Sequence, residues 1–206
     1  MCACLTQRML AEQFTQGQVS RRERFETFQE DIFPTPRQRK ATCKARDICK
    51  DYAERFPGNN PPGLLILGQA GLGKSFLLNC VAVRVLERGF SVLSLPAYDY
   101  MQAVLAALRD RQPMPDFHAP DLLILDDLGA EPMLNNITRE NLTNLLDARQ
   151  RQGLATAFSS NFTREQIINE YGERFAFRLL SPRNTLTLEL IGENLRLLPL
   201  PPLEET

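Results

Sequence analysis

The run "GLLILGQAGLGKS", residues 63–75, restricts the fold more than any other part of the chain. Four consecutive aliphatic residues, Leu64 to Leu67, read as a strand buried on both faces, the habit of a parallel sheet flanked by helices. The next eight residues, Gly68, Gln69, Ala70, Gly71, Leu72, Gly73, Lys74 and Ser75, fit the phosphate-loop spacing G-x-x-x-x-G-K-[ST], and a helical pattern starts where they end. Glycine lets such a loop curl with its N–H groups inward, and the helix N-terminus adds its positive end. Lys74 is then placed to reach the β and γ phosphates of a nucleotide, and Ser75 to offer a hydroxyl to Mg²⁺. Phe76, next in the helix, counts with the loop as a nucleotide-binding position.

A second aliphatic run, "DLLILDDLGAEP" at 121–132, ends in two carboxylates. In an open α/β sheet ligands bind at the C-terminal edge of the strands, so Asp126 and Asp127 fall where a nucleotide needs them. Asp126 suits the Mg²⁺ shell, and Asp127 is left to orient or deprotonate a water. Further strands are expected at 90–95, 154–160 and 185–191. Helical patterns lie between them at 74–88, 97–111, 136–152 and 163–180, the last with a break near Gly172. Strand and helix alternate, so the chain reads as an α/β domain. Residues 1–56 read as a mostly helical N-terminal extension, broken at "FPTP" (33–36), with a second helix at 37–56. Residues 57–198 form the core, and 199–206 a tail.

Composition excludes several alternatives. Lys and Arg total 24 against 25 Asp and Glu, so no global basic field points to nucleic acid and any such contact must be local. Five cysteines, at 2, 4, 43, 49 and 80, are an odd and scattered set, as expected of a reduced cytoplasmic protein rather than a disulfide framework. The two "LLIL" runs are too short to span a bilayer, and no apolar signal segment follows Met1, so no membrane association is expected. Local DNA contact is placed at "PAYDYMQAV", where Tyr98 and Tyr100 offer stacking faces to unpaired bases, core packing being the competing role.

Three more positions bear on the chemistry. Asn161 ends the fourth strand, where its amide suits a γ-phosphate or the attacking water; the same residue type also caps helices. Arg174 and Arg178 are four apart and share one helical face. Arg196 follows the last strand. For all three arginines, plain solvation at the surface is the competing reading.

Taken in order, "GLLILGQAGLGKSFLLNCVA", "DLLILDDLGAE", "SSN", "GERFAFRLL" and "GENLR" resemble the motifs of the AAA+ ATPases of the DnaC/DnaI helicase-loader and IstB transposition-helper group, over roughly residues 20–198. The resemblance implies a three-layer sandwich around a central parallel sheet, with no C-terminal helical lid. It implies an ATPase that uses ATP and Mg²⁺ as a conformational switch and assembles as a homo-oligomer. Its implied partners are a replicative DNA helicase and single-stranded DNA, or, in the transposition-helper alternative, a transposase. A small-molecule kinase is the more distant alternative. By the same resemblance Lys74 and Ser75 belong to Walker A, Asp126 and Asp127 to Walker B, and Asn161 is sensor 1. Arg178, ahead of Arg174, is the finger presented to a neighbouring subunit, and Arg196 holds the second-sensor position. Asp127 stands where AAA+ proteins more commonly carry Glu, although the loader group often has Asp there.

"CACLTQRMLAEQF" near the start resembles the last ligands of the N-terminal zinc module of DnaI-type loaders, so residues 1–14 are expected to be a remnant of one. Cys2 and Cys4 supply half of a four-ligand site. Cys43 and Cys49, six apart in an expected helix, are not spaced to complete it.

Overall fold

The computed structural model describes residues 24–27, 36–110 and 116–197. Cys2, Cys4, the expected first helix and the tail at 199–206 lie outside these residues. Five strands form one parallel sheet: β1 (Gly63–Leu67), β2 (Val92–Pro96), β3 (Leu122–Leu128), β4 (Ala155–Ser160) and β5 (Thr185–Glu189), in the order β2-β3-β4-β1-β5. Helices α1 (Pro36–Arg55), α2 (Lys74–Glu87), α3 (Ala97–Asp110), α4 (Asn135–Arg151), α5 (Arg164–Tyr171) and α6 (Glu173–Leu180) cover it on both sides.

Alternation of side chains along each strand divides the aliphatic runs between two cores. Leu64, Ile66, Leu122 and Ile124 face one way and bury against Leu77 and Val81 of α2, with Tyr52 and Phe56 of α1 in the same cluster. Leu65, Leu67, Leu123, Leu125 and Phe158 face the other way, onto α3, α4, α5 and α6. Each fully buried leucine contributes about 1.5–3 kcal/mol of transfer free energy, and this is why uninterrupted "LLIL" rather than alternating polar residues encodes these strands.

Element boundaries depart from the sequence reading where side chains intervene. β2 starts at Val92 because Ser91 is engaged with Asp121: its N–H and hydroxyl both donate to one carboxylate oxygen, at 2.8 and 2.6 Å. β3 runs on to Leu128, three residues past the aliphatic run, through an irregularity after which Leu128 pairs with Ser160. Asp126 and Asp127 therefore lie within the last residues of the strand rather than beyond it. As the sequence reading expects, the helical stretch after β4 breaks at Gly172, whose φ of 79° starts α6 in a new direction.

The two tyrosines offered for base stacking separate. Tyr100 is buried against Phe117, ring centroids 4.9 Å apart, and has no face for a base; Tyr98 is exposed. Helix spacing explains the split, since residues two apart on a helix point to different sides. Cys49 is buried in the α1–α2 core, and burial pushes its thiol up to about 12, so it is no more suited to a metal than its spacing suggested.

A sequence pattern does not reveal Arg149. It occupies the last turn of α4 yet is fully buried, with its guanidinium spread over main-chain carbonyls. Nη1 donates to Phe117 O at 2.9 Å, Nη2 to Pro120 O at 2.9 Å and Ala155 O at 2.7 Å, and Nε to the Thr156 hydroxyl at 3.1 Å. One side chain thus ties the loop entering β3 to the start of β4.

Candidate nucleotide site

The strand order brings the expected residues together. β4 lies between β1 and β3, so the residue that leaves β4 is flanked by the phosphate loop on one side and the carboxylates of β3 on the other. That residue is Asn161. Its Oδ1 accepts from Lys74 Nζ at 2.7 Å and its Nδ2 donates to Asp127 Oδ1 at 2.8 Å, which makes a continuous chain from lysine to amide to carboxylate. The helix-cap role falls to Thr163 instead, which forms a reciprocal capping box with Gln166 at the start of α5.

The phosphate loop, residues 68–75, is shaped to accept an anion. Gly71 and Gly73 have φ of 82° and 84°, conformations that favour glycine. Gly73 begins α2 without any side-chain cap on the first amides, and the first turn carries no acidic residue. A side chain at Gly71 would collide with Asn194, whose Oδ1 would lie 1.8 Å from the added carbon. Lys74, 6% exposed, is held by the carbonyls of Gly68 and Gln69 at 2.8 and 2.9 Å. Burial lowers its pKa from the ordinary lysine value, Asp127 and Asp126 act against that shift, and Arg196 adds to it. Ser75 and Gln69 are exposed on the open side of the loop. This arrangement of inward-curling glycines, uncapped amides and a fixed ammonium fits a nucleotide polyphosphate. A Ser75 hydroxyl and an Asp126 carboxylate are hard oxygen donors suited to Mg²⁺.

Two open spaces adjoin the loop. A cleft of about 540 Å³ lies at the strand ends between Gly68, Gln69, Asn161, Phe162 and Glu189. A second cavity of about 290 Å³ lies between α1 and β5 and reaches the loop at Leu72.

Asp127 has a φ of 57°, the one non-glycine positive φ among the described residues. Strain of this kind persists only where surroundings hold it. Ser159 on β4 provides one restraint: its Oγ accepts from the Asp127 N–H at 2.9 Å while donating to Asp126 Oδ1. The sequence shows Ser159 only as the first residue of "SSN" and assigns it no role, because a serine in a buried strand can equally be packing. Glu131, four residues after Asp127, is buried rather than at the surface, accepts from Gly129 N–H at 2.8 Å and receives the Tyr171 hydroxyl. Burial, with the Glu131 charge beside it, holds that phenol well above its ordinary pKa.

The arginines lie apart from this chain of contacts. Arg178 on α6 is half-exposed, pairs through Nε with Asp147 of α4 and donates from Nη1 to Arg174 O at 2.8 Å. Arg174 is more exposed and reaches Asp147 at 3.7 Å. Arg196, exposed after β5, lies in a segment docked on the loop: Leu195 N–H donates to Gly71 O at 2.8 Å and Arg196 N–H to Asn194 Oδ1 at 3.0 Å.

A parallel sheet in this order, with a phosphate loop after β1, paired carboxylates ending β3 and an asparagine leaving β4, defines a phosphate-loop protein of the AAA+ class. Residues 19–179 match the bacterial DnaA ATPase domain, and the chain belongs to that family. Among curated proteins it is similar to the replicative helicase loader DnaI of Bacillus subtilis (strain 168), 28% identical over 70% of this chain and 47% of DnaI. It is likewise 28% identical to the loader DnaC of Escherichia coli (strain K12), over 69% of this chain and 58% of DnaC. The chain thus spans about half the length of the curated relatives it matches. A crystal structure of the DnaC helicase loader superposes with a TM-score of 0.65 at 18% identity, covering 82% of this chain and 99% of that one. AMPPCP-bound DnaA from Aquifex aeolicus gives 0.67 at 19% identity, covering 86% and 53%. These two show the shared fold. Among the described residues no helix is long and apolar enough to cross a membrane.

Proposed function

We propose that this protein is a cytoplasmic ATPase that binds and hydrolyses ATP with Mg²⁺ as a conformational switch and delivers a replicative DNA helicase to single-stranded DNA, acting as a homo-oligomer. The observation that carries the ATPase reading is the hydrogen-bonded chain Lys74–Asn161–Asp127 at the mouth of the phosphate loop. It links a phosphate-neutralising ammonium, a neutral amide and a carboxylate through two successive hydrogen bonds, the groups needed to hold a γ-phosphate and aim a water at it. Similarity to DnaI and DnaC supports the loader role ahead of a transposition helper.

In this reading the loop amides of residues 70–75 and Lys74 bind the phosphates. Ser75 and Asp126 would hold Mg²⁺, which would supply neutralisation of phosphate charge. Asp127 takes the proton of the attacking water, and Asn161 fixes both Asp127 and the phosphate side of Lys74. Arg178 acts on a neighbouring subunit's nucleotide, and Arg196 reads the state of its own. The test pairs two variants with a partner assay. Lys74→Ala should lose ATP binding, whereas Asp127→Asn should bind ATP and lose turnover, because the lysine acts on the ground state and the carboxylate on the water. The parent should also retain the replicative helicase of its own genome in a pull-down. Equal loss of nucleotide affinity in both variants overturns the division of roles, and failure to retain the helicase overturns the loader role.

A further inference from the structure

Ser159 acquires a role if the site is the ATPase centre proposed above. Asp126 and Asp127 are adjacent, chemically identical, and required to do different things: one to serve a metal, the other a water. Adjacent strand residues point to opposite faces, which alone would send one carboxylate away from the site. The chain avoids this by placing Asp127 at a φ of 57° and shifting the β3–β4 register between Leu125 and Leu128. Something must hold that backbone and keep the two carboxylates apart in use.

We propose that Ser159 is the positioning residue that assigns the two carboxylates their roles. It is 1% exposed, on β4, opposite the irregular part of β3. A hydroxyl has one proton and two lone pairs. Here a lone pair receives the Asp127 N–H, at 2.9 Å, and the proton goes to Asp126 Oδ1. The first bond fixes Asp127 in its left-handed conformation, from which its Oδ1 meets the Asn161 amide at 2.8 Å. The second fixes one oxygen of Asp126 and leaves Oδ2 as the oxygen for the metal shell. A single side chain therefore acts on both carboxylates in opposite senses, as donor to one and acceptor for the other. Alanine can do neither, and a backbone N–H left without its acceptor in a buried strand favours a return to ordinary strand geometry. The neighbouring Ser160 does not substitute, since its hydroxyl is committed to Leu128 O and the Phe162 N–H.

Partners that orient metal ligands typically change metal affinity or activity 10–100-fold when removed. The test uses Ser159→Ala and Ser159→Thr in the full chain, with a fluorescent N-methylanthraniloyl-ATP as probe. Affinity is measured in EDTA and across a Mg²⁺ titration, alongside turnover. In EDTA the alanine variant should bind the probe like the parent, because the loop and Lys74 are intact. Its half-saturating Mg²⁺ should rise about tenfold and its turnover should fall about 10–100-fold. Threonine, which keeps the hydroxyl, should restore both to within about threefold. Alanine with parental Mg²⁺ dependence and turnover overturns the proposal. So does loss of probe binding in EDTA, which marks a general packing role, and so does a threonine variant that stays as impaired as alanine. If the parent itself binds no probe, the ATPase reading fails and this inference falls with it; a parent that binds beside an unaffected alanine variant sinks the Ser159 role alone.

Discussion

Replacing Arg149 with methionine keeps the length and much of the apolar stem of the side chain and removes its guanidinium. Four acceptors within about 3.1 Å then lose their donor, the carbonyls of Phe117, Pro120 and Ala155 and the Thr156 hydroxyl, as do the more distant carbonyls of His118 and Asp121. Hydrogen bonds to a charged group contribute about 1.5–3 kcal/mol each, so the gross loss is about 6–12 kcal/mol. Against this stands the cost of keeping the charge buried. That burial, only partly offset by Asp121 and Asp116, lowers the Arg149 pKa from 12.5 to about 10. At about 1.4 kcal/mol per pKa step, the lowering corresponds to roughly 3 kcal/mol that methionine recovers. The balance is a destabilisation of about 3–9 kcal/mol before any relaxation of the 116–121 loop, and a fall in Tm of about 10 °C or more for a chain of this size. Urea unfolding monitored by circular dichroism measures it. Arg149→Lys is expected to lose nearly as much, since a single ammonium cannot serve three carbonyls reached by a planar fork. A methionine variant within about 1 kcal/mol of the parent refutes the reasoning and means that those carbonyls find other donors. The nucleotide affinity of the folded fraction should be unchanged, as Arg149 acts at the opposite end of β3 from Asp126.

Arg178→Ala should bind ATP normally and lose the rise in specific activity with protein concentration that marks a shared site; a parent without such a rise refutes it. Its stability should fall by no more than about 1 kcal/mol, because the partner Asp147 pairs with it near the surface. Tyr98→Ala should bind single-stranded DNA about tenfold more weakly in a fluorescence titration with ATP present, the value of roughly one stacked base, and parental affinity removes DNA from this position. Cys49, its thiol raised from 9.0 to about 12, should resist alkylation at pH 8 until the protein is unfolded. A raised folded pKa means that the unfolded chain ionises first, so the stability this thiol contributes is complete below pH 9 and declines as pH rises from 9 towards 12. Peptide mapping that finds Cys49 alkylated as fast as half-buried Cys43 in the native protein refutes this.

The sheet was legible because its information is local. The two "LLIL" runs read as strands buried on both faces, and with three further strand-like runs separated by helical periodicity they leave few arrangements other than a parallel α/β sheet. Lys74 and Asp126 were legible for a related reason, as each is fixed by its own strand end. What stayed hidden depends on register between segments distant in sequence. Ser159 matters because β4 is aligned with β3 so that its hydroxyl falls between two carboxylates more than thirty positions away, and one step of slip would put Phe158 or Ser160 there instead. Arg149 looks like a surface residue because helices commonly end in basic residues, and only the path of the loop above it creates the cage of carbonyls. Tyr100 and Tyr98 differ by two positions in sequence, yet one is buried and the other exposed.

The polar groups at the sheet's edge form a connected set, and the connection determines how substitutions there combine. Lys74, Asn161, Asp127, Ser159 and Asp126 follow one another through hydrogen bonds with donor and acceptor matched at each step. Gly129 lies two residues beyond Asp127 and passes the chain, through Glu131 and the Tyr171 hydroxyl, to the end of α5, one glycine before the helix that carries Arg174 and Arg178. Each member fixes the geometry of the next, so losing one loosens its neighbours as well. Removing Asn161 leaves Lys74 and Asp127 facing each other without the amide between them, and removing Ser159 frees Asp127 from the other side. Either change therefore disturbs the same carboxylate, and the loss from both together should be smaller than the sum of the two taken singly. The same path gives a mechanical meaning to Asp127 standing where glutamate is commoner. A shorter side chain reaches less far from its own backbone, and here the left-handed backbone, held by Ser159, directs it to Asn161.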